Sequence, residues 1–98
     1  MAKRFQNEKG FLIIEMSPIE AKAIGFGLPE GCVCMHCNNI IKDKIYYIAV
    51  LNDVMDKECL DKWMKNAIRY KEDIEYEERY YDTIATMLDF YGRITEED

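Results

Sequence analysis

The sequence contains no long apolar run, and its longest apolar stretches span only a few residues. A membrane-spanning helix needs about 20 such residues, so we predict no membrane partner. The N-terminal stretch also lacks the basic head, apolar segment and small-residue cleavage site of a signal peptide. We therefore expect a cytoplasmic protein. In that reducing compartment, clustered cysteines are typically metal ligands or redox thiols, not disulfides.

Histidine is also scarce. The chain has one, His36, and no Ser- or Cys-centred nucleophile motif surrounds it. A catalytic histidine needs such a partner, so the sequence predicts a protein that is not an enzyme. The sequence has no internal repeat, and its 98 residues correspond to a single domain, 1–98.

The net charge of −6 is unevenly distributed along the chain. Residues 1–31 are neutral, residues 32–71 carry a net charge of +2, and residues 72–98 carry −8. The overall acidity disfavours non-specific binding to nucleic acid. The basic middle segment supports a weaker hypothesis, in which one helix face contacts the phosphates of a nucleic acid. The residues of that face are Lys57, Lys62, Lys65 and Arg69.

Residues 11–31 are predicted to form a strand–helix unit. Phe11–Glu15 is a short apolar, β-branched run that indicates a strand. Ser17 and Glu20 flank a proline in the pattern of a capping box, which starts a helix. Two glycines end that helix within two turns. The polar stretch before the unit, Met1–Gly10, is expected to be a frayed end.

Residues 32–70 are predicted to be the core of a metal-binding unit. Ile40–Leu51 is interpreted as a β-hairpin, because two runs of strand-forming residues flank a polar turn. A helix is expected from Asp56 to about Tyr70, where apolar residues recur at helical spacing.

Residues 73–92 are predicted to form a C-terminal helix, with Asp73 as N-cap, Gly92 as C-cap and 93–98 as an acidic tail. The helix is rich in tyrosine, whose apolar body and polar tip suit interfaces. We expect it either to pack on the rest of the domain or to bind a protein partner or a second copy. The tyrosines assigned to partner binding are Tyr76, Tyr80, Tyr81 and Tyr91.

All four cysteines lie between residues 32 and 59. Zinc takes about four ligands in a tetrahedron, from thiolates, imidazoles or carboxylates. A Cys-x-x-Cys pair supplies two ligands from one turn, and an Asp-x-x-Cys pair at a helix start has matching spacing. The favoured ligand set is Cys34, Cys37, Asp56 and Cys59.

The same residues allow three other hypotheses about the cysteines. Cys32 can replace Asp56 in a site of four cysteines, or His36 can supply the fourth ligand. The cysteines can also be buried small hydrophobes without metal. In a third reading, Cys34 and Cys37 cycle between dithiol and disulfide.

The segments Cys34-Met-His-Cys37-Asn-Asn-Ile40 and Asp56-Lys-Glu-Cys59-Leu-Asp-Lys-Trp63 resemble the first zinc half of LIM domains. The second segment is also similar to the His-x-x-Cys helix start of RING domains. Both families belong to the treble-clef group, in which a knuckle and a hairpin precede a helix that bears the last ligands. The resemblance implies a structural zinc ion. Asp56 stands where those families usually have histidine, and no cysteine follows Cys59 to build their second zinc half.

The sequence therefore predicts a small α+β, treble-clef-like zinc domain with an N-terminal strand–helix unit and a C-terminal helix. The leading functional prediction is a non-catalytic protein-interaction or adaptor module stabilised by zinc. One alternative is a nucleic-acid-binding regulator that uses the helix Asp56–Tyr70. The other is a thiol redox protein.

Overall fold

A four-stranded antiparallel sheet organises the fold, and a second, smaller sheet has three strands. The structure is a computed structural model that describes residues 3–25, 27–28 and 31–96. The strands are β1 Lys3–Gln6, β2 Leu12–Met16, β3 Gly27–Leu28, β4 Gly31–Val33, β5 Ile40–Ile41, β6 Ile45–Ile48 and β7 Asp53–Met55. The strand order is β1-β2-β6-β7 in the large sheet and β3-β4-β5 in the small one. The helices are α1 Pro18–Ala23, α2 Lys57–Asn66 and α3 Ile74–Glu96.

The core lies around β2 and β6, which pair through Ile13–Ile48 and Ile14–Tyr47. All four side chains of β6 are buried. The backbone N–H and C=O groups of a buried strand need hydrogen-bond partners on both edges, and β2 and β7 supply them to β6. The Tyr47 hydroxyl donates to Asn52 Oδ1 at 2.6 Å, which satisfies its polar atom inside the core. The result is a small α+β domain with a Cα radius of gyration of 13.2 Å.

The N-terminal segment is a strand, so the prediction of a frayed end was wrong. Lys3–Gln6 forms β1 and pairs antiparallel with β2, although all four side chains are exposed. The Asn7 side chain closes the turn, because its Oδ1 accepts from the N–H groups of Lys9 and Phe11. Backbone pairing, and not side-chain burial, holds this strand, and composition alone does not reveal such pairing.

The predicted start of the first helix is confirmed. Ser17 is the N-cap of α1, its hydroxyl accepts from the Glu20 N–H at 3.2 Å, and the Glu20 carboxylate accepts from the Ser17 N–H at 3.0 Å. Gly25 follows the helix with φ of +93°, a conformation that glycine adopts easily.

The predicted hairpin over Ile40–Leu51 was wrong. Its two strands belong to different sheets, because β5 pairs with β4 whereas β6 pairs with β2 and β7. The actual hairpin joins β6 to β7 through residues 49–52, where Asn52 has φ of +53°. Strand propensity identified the segments correctly, but it carries no information about which strands pair.

Helix α2 ends at Asn66, four residues before the predicted end at Tyr70. Ala67 is extended, with φ −72° and ψ 136°. The Lys9 ammonium donates to the carbonyls of Met64 and Ala67, at 2.5 and 3.1 Å. These contacts stabilise the helix end, because a cation favours the free carbonyls of the last turn.

Helix α3 begins at Ile74, as predicted, after a 3-10 turn at Lys71–Asp73. It continues to Glu96, so the predicted C-cap at Gly92 and the predicted tail from residue 93 were wrong. A glycine is tolerated inside a long helix at a cost of about 1 kcal/mol relative to alanine. Among the described residues, none of the helices has both the length and the apolar character needed to span a bilayer.

A buried ion pair fixes α3 on the sheet. Glu77 is 0% exposed, and its Oε2 accepts from the Leu12 N–H at 3.1 Å. Its Oε1 accepts from Arg69 Nε at 3.1 Å and from Nη2 at 2.6 Å. Gly10, with φ of +93°, makes room for this pair, because a Cβ there would lie 3.2 Å from Arg69 Cδ.

Candidate metal centre

Two candidate ligands come from the turn that follows β4. The Cys34 N–H donates to the Asn39 carbonyl at 2.9 Å, and the Asn38 N–H donates to the Cys34 carbonyl at 2.8 Å. Asn38 has φ of +65°, a left-handed conformation that asparagine tolerates better than most residues. This compact turn holds Cys34 and Cys37 in a knuckle.

The other two candidate ligands lie at the start of α2. Asp56 is the N-cap of the helix, and its Oδ1 accepts from the Cys59 N–H at 2.8 Å. Strand β7 leads directly into this cap, and the Met35 N–H donates to the Val54 carbonyl at 2.9 Å. That hydrogen bond joins the knuckle to β7, and so brings the two pairs of ligands together.

The ligand atoms of Cys34, Cys37, Asp56 and Cys59 all lie within 4.8 Å of one another. In a tetrahedral site with metal–sulfur bonds of about 2.3 Å, neighbouring ligand atoms lie about 3.8 Å apart. Cys34 and Cys59 are buried, whereas Cys37 and Asp56 are partly exposed. None of the four cysteines forms a disulfide. These residues therefore fit a metal ion, as the sequence predicted.

Asp56 can serve the helix and the metal at the same time. Its Oδ1 is engaged by the Cys59 N–H, whereas its Oδ2 lies 3.5 Å from the Cys37 sulfur, which donates to it. Oδ2 therefore points into the cluster. A metal bound there would have a single oxygen ligand from Asp56.

Hydrogen bonds favour the charged forms of two ligands. Burial raises the pKa of the Cys34 thiol. Hydrogen bonds from the N–H groups of Cys37, Asp56 and His36, and from the Cys37 thiol, lower it by more. The pKa of Cys34 is therefore below its usual value. The Cys59 N–H lowers the pKa of Asp56. Cys59 differs, because burial, then hydrogen bonds with the other ligands, raise its pKa. The cluster thus brings three thiols and one carboxylate close together. A bound cation would offset the negative charge that these groups carry when they are deprotonated.

The two alternative ligands lie outside this group of four. Cys32 is 0% exposed in β4, and burial raises the pKa of its thiol. His36 is exposed at the tip of the knuckle. The geometry favours Asp56 over both as the fourth ligand, because the cap of α2 fixes its carboxylate at the cluster.

The predicted basic face does not form a single surface. Lys57 pairs with Asp61 at 2.8 Å and Lys62 with Glu58 at 3.3 Å, both on α2. Lys65 is exposed. Arg69 lies beyond the end of the helix and is engaged by the buried Glu77, so it cannot be part of an exposed phosphate-binding face.

The four tyrosines assigned to partner binding lie on two faces of α3. Tyr76 and Tyr80 are 56% and 37% exposed, whereas Tyr81 and Tyr91 are half-buried. Met87 and Phe90 accompany the exposed pair, at 41% and 64%. The sequence prediction missed Glu77 as a buried acid.

No protein family, curated protein or solved structure matches this chain. Three thiols and one carboxylate, from two separate segments, can close a tetrahedral coordination sphere. In the absence of metal, the same thiols can exchange with disulfides.

Proposed function

We propose that this protein is a non-catalytic, zinc-stabilised protein-interaction module. The observation that carries the proposal is the cluster of Cys34, Cys37, Asp56 and Cys59, whose ligand atoms lie within 4.8 Å of one another. The knuckle and the start of α2 are separate segments, so a bound ion would link them. Binding of the metal would then contribute directly to folding free energy.

The donor set supports zinc over other metals. Thiolates are soft ligands that select against magnesium and calcium, which prefer oxygen. Zinc accepts three sulfurs and one carboxylate oxygen in a tetrahedron without any preference from its d electrons. The order of elements, with a knuckle, the β6–β7 hairpin and then α2, is similar to that of the treble clefs of LIM and RING domains, and this likeness supports the same assignment.

A structural role for zinc fits better than a catalytic one. Catalytic zinc usually has three protein ligands and one open position for water, whereas structural zinc has four protein ligands. Asp56 Oδ2 supplies the fourth ligand here, and the hydrogen bond from Cys59 to Oδ1 keeps the carboxylate in place. Water would have no vacant position at the metal.

The interaction role is supported by the exposed aromatic side chains of α3. Tyr76 and Phe90 are more than half exposed. Aromatic residues are enriched in the centres of protein interfaces. Exposed residues of this size on one helix are more readily explained by a partner than by the packing of this domain.

The first test is the metal content of protein purified without added metal. We expect one zinc ion per chain in the wild type, loss of zinc in Cys59→Ala, and a large fall in melting temperature. Cys32→Ala is the matched control, because Cys32 is also buried but lies outside the cluster. The zinc content of this variant should equal that of the wild type. A folded wild-type protein without metal, or loss of zinc in Cys32→Ala alone, would refute the proposed site.

A thiol redox function is the second candidate. Three sulfurs lie within the cluster, and hydrogen bonds lower the pKa of Cys34, which favours its reactive thiolate form. Zinc bound to the thiolates would suppress this chemistry. Thiol titration of protein as isolated separates the two functions, because a zinc-free chain with a reversible Cys34–Cys37 disulfide would support the redox function.

A further inference from the structure

The three thiols of the candidate metal centre differ in their access to solvent. Cys34 is 0% exposed and Cys59 is 5% exposed, whereas Cys37 is partly exposed. Cys37 lies near the tip of the knuckle, between the exposed residues His36 and Asn38. Oxidation of a cysteine requires both a thiolate and access for the oxidant. A small oxidant in solution therefore reaches the sulfur of Cys37 before those of the other two thiols.

Cys37 has neighbouring sulfurs with which it can form a disulfide. The ligand atoms of Cys34 and Cys59 both lie within 4.8 Å of its own. Cys34 belongs to the same turn, which is closed by the hydrogen bond from the Asn38 N–H to the Cys34 carbonyl at 2.8 Å. Cys59 belongs to α2, so an S–S bond of about 2.05 Å would pull two separate elements towards each other. Cys34 is thus the thiol that can bond to Cys37 within one local segment.

We propose that the zinc centre is a peroxide-sensitive switch, in which the Cys37 thiolate is oxidised and the Cys34 thiolate completes a disulfide. The inference rests on the proposed function and concerns the regulation of the same site. It differs from the thiol redox function, in which a metal-free chain cycles between dithiol and disulfide. Here bound zinc disfavours exchange with bulky disulfides, whereas a peroxide is small enough to reach a partly exposed sulfur.

Both steps of the switch balance in atoms and electrons. The Cys37 thiolate attacks one oxygen of hydrogen peroxide, the O–O bond breaks, and a sulfenic acid and one hydroxide form. The Cys34 thiolate then attacks the sulfenic sulfur, which forms the S–S bond and expels a second hydroxide. The two thiolates lose two electrons in total, and the peroxide gains them. Both hydroxides take up protons from solvent and become water.

The disulfide removes two of the four ligands from the ion. Asp56 and Cys59 remain, and a structural zinc site needs four protein ligands. The ion would leave, and the knuckle would lose its metal link to α2. The β2–β6 ladder contains none of the ligands, so this part of the core does not depend on the ion. Reduction of the disulfide in the presence of zinc would restore the site, which makes the change reversible.

The test uses full-length protein purified with its zinc and then treated with hydrogen peroxide. A colorimetric indicator follows zinc release, and mass spectrometry of peptides locates any disulfide. We expect release of one zinc ion per chain, a Cys34–Cys37 disulfide, and recovery of bound zinc after treatment with a phosphine reductant and added zinc sulfate.

Cys32→Ala and Met35→Leu are the matched controls for other sulfur atoms. Cys32 is a buried thiol outside the cluster, and Met35 is 52% exposed in the knuckle, where a peroxide can oxidise it. Both variants should release zinc at the wild-type rate. A slower release in Met35→Leu would assign the response to methionine oxidation and contradict the switch.

Two ligand variants test which sulfur is attacked. Cys37→His keeps a zinc-binding group at this position and removes the sulfur. The fraction of its bound zinc that peroxide releases per unit time should fall about tenfold, because the two remaining sulfurs are buried. Cys34→His removes the thiol that completes the disulfide. A reagent specific for sulfenic acids should then label Cys37 several-fold more than in the wild type.

Three further outcomes would overturn the inference. Zinc that stays bound under conditions that fully oxidise free glutathione would show that the centre is closed to peroxide. Release at the wild-type rate in Cys37→His, or a Cys37–Cys59 disulfide in the wild type, would show that other sulfurs react. Zinc analysis of the untreated protein separates the inference from the proposed function. Untreated protein without zinc refutes both, whereas bound zinc that peroxide does not release refutes only the inference.

Discussion

The structure contains two polar clusters, one buried and one partly exposed, which differ in how their charge is balanced. The Glu77 carboxylate is paired with Arg69 and accepts the Leu12 N–H, so protein groups alone satisfy it. The cysteine–aspartate cluster gathers three thiols and one carboxylate with no basic side chain among its ligands. The first cluster is complete in the folded chain, whereas the second could hold a metal ion. Under the proposed function, the fold combines one self-sufficient anchor with one that depends on metal supply.

The two clusters lie at opposite ends of helix α2. Asp56 and Cys59 stand at the start of α2, and Arg69 follows its end by three residues. Between them, Trp63 contacts the Phe11 ring at a centroid distance of 4.9 Å. Loss of either cluster should release one end of α2 and leave the other attached.

Removal of the metal should produce the largest effect. A strong zinc chelator should lower the free energy of unfolding by about 4 kcal/mol, if free zinc had been near 1,000 times its dissociation constant. Hydrogen exchange should then accelerate first in the knuckle and the first turn of α2. The β2–β6 ladder should remain protected, because it contains none of the ligands. Equal loss of protection in both regions would contradict the division into two anchors.

Acid should also remove the metal. Protons compete with metal for the thiolates, so affinity falls as pH falls. Burial raises the pKa of Cys59, and the Cys59 N–H depresses that of Asp56. Asp56 thus contributes stability at neutral pH that is lost only as pH falls through its depressed pKa. Zinc release, followed with a colorimetric indicator, should be complete at a pH above that at which Asp56 protonates. Release that tracks carboxylate protonation would reverse this order.

Disruption of the other cluster should be nearly as costly. Glu77→Ala leaves the Arg69 guanidinium, 21% exposed, without its partner and should destabilise the protein by about 3 kcal/mol in urea denaturation. The double variant Arg69→Met/Glu77→Leu should recover most of that loss, since apolar groups often replace a buried ion pair at little cost. Zinc content should be unchanged in both. Loss of zinc in Glu77→Ala would show that the two clusters are coupled.

Variants of Asp56 separate its two roles. Asp56→Asn keeps a good N-cap and removes the charged ligand, whereas Asp56→Ala removes both. We expect Asp56→Asn to weaken zinc binding about tenfold, or about 1.4 kcal/mol. The alanine variant should cost about 1 kcal/mol more, through loss of the cap. Chelator competition measures the first quantity and urea denaturation the second. Equal zinc affinity in wild type and Asp56→Asn would exclude the carboxylate from the coordination sphere.

The sequence predicted the cysteine–aspartate cluster far better than the Glu77–Arg69 pair. Cysteine spacing and the Asp-x-x-Cys pair at a helix start identify ligands, because the geometry of a knuckle and of an N-cap is local. Glu77 and Arg69 meet only after α3 has packed on β2, and nothing in their local sequence distinguishes them from exposed charges. The same limit explains the failed hairpin over Ile40–Leu51, since pairing partners are set by long-range packing. The starts of α1 and α2 were predicted well because their caps are local, whereas the predicted cap Asp73 lies inside a 3-10 turn and α2 ends at contacts with the distant Lys9.

Removal of an exposed ion pair should have the smallest effect on stability, and it provides a reference for the buried Arg69–Glu77 pair. Lys57 and Asp61 are 2.8 Å apart on α2, with side chains 64% and 57% exposed. Water screens such a pair, and its i,i+4 order places the cation nearer the helix N-terminus, which the helix dipole disfavours. Asp61→Asn should therefore change the free energy of unfolding by less than about 0.5 kcal/mol, measured beside Glu77→Ala. A change above about 1 kcal/mol would mean that α2 depends on surface charge as well as on the clusters at its two ends.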